Sequence, residues 1–149
     1  MTTSVHDVAK FIIQNSDRIS NLKLQKLLYY AQGWNLGLAG KPLFTAQLQA
    51  WVHGPVSPSV FRDYRHYGWL TIEKPCDPVT LPETEARHIR SVVRAYGKYS
   101  ADQLERLSHT EAPWRMARVG IPDNEPSQAV ITHESMRDFF APKAKAQSQ

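Results

Sequence analysis

The sequence has one cysteine, Cys76, so no disulfide can close within the chain. A lone thiol fits a reducing compartment. No apolar run approaches the roughly 20 residues that a membrane-spanning helix needs. The opening stretch MTTSVHDVAK has neither the basic start nor the apolar segment of a secretory signal. A cytoplasmic protein with no membrane contact is therefore expected. Catalytic signatures are missing as well. No H-E-x-x-H pair, C-x-x-C knuckle, G-x-S-x-G elbow, phosphate-binding glycine loop or dinucleotide fingerprint occurs. Cys76 sits in PCDP, which reads as an exposed turn without an activating partner. The expectation is a non-enzyme with no catalytic residue, no metal and no cofactor.

What is present is ordinary for a globular chain. Of 149 residues, 42% are apolar and 21% charged, enough for one domain with a real core. The formal charge is +4 with a pI near 9.3. Part of that excess lies in APKAKAQSQ, residues 141–149, which reads as a solvated, disordered tail after a domain spanning 1–140.

Periodicity predicts a mainly α fold, a compact helical domain around a central buried helix at 22–39, with at most a small β element. Val5–Gln14 reads as a helix capped by Thr3 or Ser4. The 22–39 helix opens at Ser20 or Asn21 and stops at Gly40. Leu24, Leu27, Leu28, Ala31 and Leu38 share one face, while Leu22, Tyr29 and Leu36 lie nearly opposite. A helix apolar on two sides is expected to be covered on two sides. Gly33 and Gly37, one turn apart, predict a second backbone passing close by.

Gln47–Val52 and Trp69–Ile72 read as short strands. Between them, QAWVHGPVSPS turns at Gly54–Pro55, and Ser57 with Pro58 starts a helix that runs to Gly68. That helix is expected to bury Val60, Phe61, Tyr64 and Tyr67 and to expose Arg62, Arg65 and His66. Lys74–Pro82 is a loop, and Glu83–Tyr96 a helix ending at Gly97. Ser100 and Gln103 form a capping box for a helix that buries Leu104 and Leu107. A short turn carries Trp114, and a last helix from Thr132 packs Met136, Phe139 and Phe140.

Arg87, Arg90 and Arg94 stripe one helix, but Glu83 stands ready to pair with them, so nucleic-acid binding is not the expected function. Tyr30 and Trp34 fall on the flank of the central helix, outside its main stripe. Exposed aromatic and arginine side chains are the stuff of protein–protein hot spots. The expected partner-binding residues are therefore Tyr30, Trp34, His53, Arg62, Arg65 and His66.

Three blocks, LKLQKLLYYAQGWNLGLAGKPLF, QAWVHGPVSPSVFRDYRHYG and YGKYSADQLERLSHTEAPW, together resemble the Panacea-domain antitoxins, which include SocA-like and phage-associated GepA-like proteins. The resemblance runs from about Val5 to Phe140. It implies a bacterial or phage protein whose partner is a cognate toxin, neutralised by direct binding. In the SocA branch it implies an adaptor that delivers the toxin to the ClpXP protease. The matching positions, Leu24 to Tyr30, Trp34, Gly40 to Leu43, Trp51, Gly54 to Val56, His109 and Pro113–Trp114, read as architectural. A nucleic-acid-binding regulator is the remaining alternative.

Overall fold

The computed structural model describes residues 3–147. Among them, the elements run α1 (Val5–Gln14), α2 (Asn21–Ala39), β1 (Leu48–Trp51), β2 (Gly54–Val56), α3 (Pro58–Tyr64), a 3-10 turn (Arg65–Tyr67), α4 (Glu83–Tyr96), α5 (Ala101–His109), α6 (Ala112–Ala117), β3 (Val130–Ile131) and α7 (His133–Gln147). The fold is mainly α. Its three short strands form an antiparallel sheet in the order β2-β1-β3, with Ala50 opposite Pro55 and Leu48 opposite Ile131.

Helix α2 is the axis of the domain. Ser20 caps it by accepting from the Lys23 amide, and Gly40 ends it in the left-handed region at φ 72°. Leu24, Leu27, Leu28, Tyr29, Tyr30 and Ala31 are all fully buried, so both apolar stripes are covered. Leu38, near the exposed end, is an exception to the expected face. The two glycines do what their cost demands. A Cβ on Gly37 would lie 2.7 Å from the Phe140 carbonyl carbon, and one on Gly33 would lie 2.6 Å from Phe140 Cδ2. The crossing backbone is α7.

The capping box forms, with Ser100 and Gln103 each accepting from the other's amide. Three predicted features are corrected. Trp69–Ile72 is not a strand: after Gly68 (φ 60°) the chain makes a turn, and Ile72 contributes a lone 2.9 Å bond from its amide to the Ile19 carbonyl. Residues 141–147 are not a loose tail but the end of α7, with Ala144 buried; residues 148–149 of that predicted tail lie outside the described chain. Leu107, expected inside, is exposed.

Candidate partner-binding surface

Polar side chains of α2 hold the surface segments in place. Gln25 is fully buried; its Oε1 accepts from the Ser57 amide at 2.9 Å, and its Nε2 donates to Asn21 Oδ1 at 3.0 Å. Asn21 in turn donates to the Phe61 carbonyl at 3.1 Å. These bonds fix the start and middle of α3 against the first turns of α2. Ser57 stands just before α3, but its hydroxyl makes no capping bond and is buried without a partner; the Gln25 amide oxygen serves the Ser57 backbone instead. Two turns further along, Gln32 clamps the segment after α2, accepting from the Leu43 amide and donating to the Phe44 carbonyl, both at 2.7 Å.

Lys26 lies beneath the hairpin turn. Its ammonium is buried and donates to the Pro55 carbonyl at 3.4 Å. Burial lowers its pKa from 10.5 to about 8, with Glu105 pulling the other way. Gly54, at φ 110°, rests on it: a Cβ there would meet Lys26 Cε at 2.6 Å. The turn over Lys26 therefore requires glycine.

A second buried cluster joins α2 to α6. The hydroxyls of Tyr29 and Tyr30 both donate to Glu111 Oε1, at 3.0 and 3.1 Å. Burial raises the Glu111 carboxyl to about 7, against the pull of those two bonds and of Lys143. Tyr30 stacks on Tyr96 at 4.0 Å, and Tyr96 accepts a 2.7 Å bond from the Trp34 indole. Tyr30 is thus a core residue with no exposed surface, and its expected contact role is withdrawn. It reads as flank in the sequence because α4 and α7, distant in the chain, close over that flank. Trp34 is half-buried against Phe140, 5.2 Å between ring centres.

The other expected contact residues are on the outside. His53 is exposed at the turn and lies 3.1 Å from Glu105. Arg62, Arg65 and His66 are exposed on α3 and the 3-10 turn. Neither guanidinium group has an ion-pair or hydrogen-bond partner among the described residues, and His66 lies against the Tyr67 ring. By contrast, Arg90 pairs with Glu83 at 3.0 Å, so the basic stripe on α4 is partly neutralised at home.

Sequence reading missed the most conspicuous surface groups. Trp69 is 86% exposed and Leu70 64% exposed, directly after the turn that carries Arg65 and His66. The signal was available: a tryptophan next to Gly68 in a segment with no partner strand. Leu22, Trp51, Val52, Val56, Phe61 and Pro126 line an open groove of about 470 Å³ between the hairpin and α3.

The SocA-like antitoxin, Panacea domain, family model matches residues 24–115 of this chain. The chain belongs to that family. It is also 37% identical over 135 residues to the Antitoxin SocA of Caulobacter vibrioides, covering 82% of this chain and 72% of that protein. No solved structure matches it.

As a Panacea-domain antitoxin, the chain keeps the matched segment as one physical unit, from α2 to α6. It contains Gln25, Lys26 and Gln32, the glycine turn they support, and Glu111 with its two tyrosines. Helices α1 and α7, which also pack on α2, lie outside it. Among the described residues no group of three His, Cys, Asp or Glu side chains is placed to hold a metal, and no helix is long and apolar enough to cross a membrane. The shared segment of this antitoxin family thus carries the scaffold, while Trp69, Leu70 and the arginines form its skin.

Proposed function

We propose that this antitoxin neutralises a cognate toxin protein in the cytosol by direct binding, without chemistry of its own. The observation that carries the reading is a run of exposed side chains: Arg62 and Arg65, unpaired among the described residues, followed along the chain by exposed Trp69 and Leu70. Aromatic and arginine groups dominate binding energy at protein interfaces, and a monomer gains nothing from leaving a tryptophan in water. In the proposal His53 and His66 belong to this contact region, and the half-buried Trp34, held against Tyr96 and Phe140, is a separate contact point.

The test is co-expression with the toxin encoded beside the gene. The double variant Arg62→Glu, Trp69→Ala is expected to lose protection of growth and co-purification with the toxin, while its melting temperature stays at the wild-type value. Protection retained in full by that folded variant would sink the assignment.

A second reading is the one the resemblance to the SocA branch implies: delivery of the toxin to the ClpXP protease. Toxin half-life separates the two. A stable complex leaves the half-life unchanged when the protease is deleted, whereas delivery for degradation makes it lengthen.

A further inference from the structure

We propose that the groove between the hairpin and α3 receives a bulky apolar side chain of the toxin, and that Arg62 and Arg65 take carboxylates carried beside that anchor. The inference rests on the reading of direct toxin binding and names the chemistry of the segment bound.

The groove walls are apolar and aromatic, with Trp51 and Phe61 in an edge-to-face pair 5.1 Å apart. Most of their polar neighbours are already engaged. The Trp51 indole donates to Gln49 at 2.8 Å, Ser127 accepts from the Ala129 amide at 3.0 Å, and His53 faces Glu105. A small polar metabolite needs several converging donors and acceptors, which this groove does not offer. An apolar side chain presented by another protein needs only shape and dry area.

Charge then selects the flanks of that segment. Arg65 follows Phe61 by one helical turn, and Arg62 is its neighbour in sequence; neither is neutralised within the described chain. Guanidinium groups in this state pair best with carboxylates, two bonds at a time. Pro126, Ser127 and Gln128, which complete the lining, carry no charge, so the unpaired cations beside it are Arg62 and Arg65. The fitting occupant is a segment with its anchor in the groove and its acidic residues toward α3.

The experiment uses the full chain and the toxin from the adjacent gene in an inactive form. Titration calorimetry compares wild type with Val52→Glu, Pro126→Glu and Arg65→Glu, each checked by thermal melting; the exposed Pro126 site repeats the test should Val52→Glu not fold. Each folded variant is expected to bind at least tenfold more weakly, and the Arg65→Glu loss is expected to shrink at high salt. A photo-crosslinking residue at position 52 should capture a toxin peptide with a bulky apolar residue and an Asp or Glu within four positions. Wild-type affinity in the folded variants overturns the groove assignment alone, as does a captured peptide that is basic, lacks an apolar anchor or comes from another copy of this chain. If wild type does not bind the toxin at all, direct binding fails, and the groove assignment with it.

Discussion

The Tyr30 hydroxyl donates a 3.1 Å hydrogen bond to Glu111, 81 residues further along the chain. That bond ties the central helix to α6 through a carboxyl whose proton leaves near neutral pH.

Glu111 makes stability depend on pH in a known direction. Its folded pKa, about 7, is above the ordinary 4.5, so its contribution is complete below pH 4.5 and lost as pH rises through 7. In Glu111→Gln the amide oxygen still accepts from the tyrosines, but no charge forms. Urea melts at pH 5 and pH 8 should show wild type losing about 2–3 kcal/mol more than the variant over that interval. Equal losses would show that this carboxyl is not held as described.

Lys26 acts in the opposite sense. Its folded pKa, about 8, lies below 10.5, so the buried ammonium destabilises the fold at neutral pH and the strain is relieved as pH rises through 8. Replacing a buried charge by a side chain of similar volume is often stabilising. Lys26→Met should gain about 1–3 kcal/mol at pH 7 and show a flatter profile between pH 7 and 10 than wild type. Differential scanning calorimetry at both ends of that range checks it.

Gly33→Ala should lower stability by about 2–4 kcal/mol although alanine favours helices, because the new methyl meets the Phe140 ring. In the double variant Gly33→Ala, Phe140→Leu, the clash is removed, so the loss should be smaller than the sum of the two single losses. Strict additivity in this cycle would count against the contact.

The half-buried Trp34 and the exposed Trp69 should part company. Trp34→Ala breaks a 2.7 Å bond to Tyr96 and a ring contact with Phe140, so it should cost about 2–3 kcal/mol of stability. Trp69→Ala, at a site already 86% exposed, should leave the melting temperature unchanged and weaken toxin binding. Reversed outcomes would exchange their roles.

Local signals made much of this architecture readable. Caps, stops and the double stripe of α2 depend on residues close in sequence, and Gly33 with Gly37 announced a neighbour without naming it. The buried polar network was not readable. Gln25, Lys26, Gln32 and Glu111 look like surface residues, and only the assembled fold shows which backbone and hydroxyl groups they satisfy. Tyr30 was misplaced for the same reason, since one helix taken alone cannot reveal what covers its side. Of the expected contact residues, Arg62, Arg65 and His66 were placed outside because helical spacing pointed them away from apolar neighbours, and His53 because it stands beside a turn. Trp69 was absorbed into a supposed strand, and the groove is made by segments that meet only in three dimensions.

The nesting of Phe140 against the glycines of α2 sets a timetable for the newborn protein. A ribosome that has finished α6 has released the whole family-matched segment, yet the axis helix still has one flank bare. Only after position 140 emerges can that flank close, so each fresh molecule passes through an interval in which it offers greasy surface to proteases and to its own kind before it can act as an antidote.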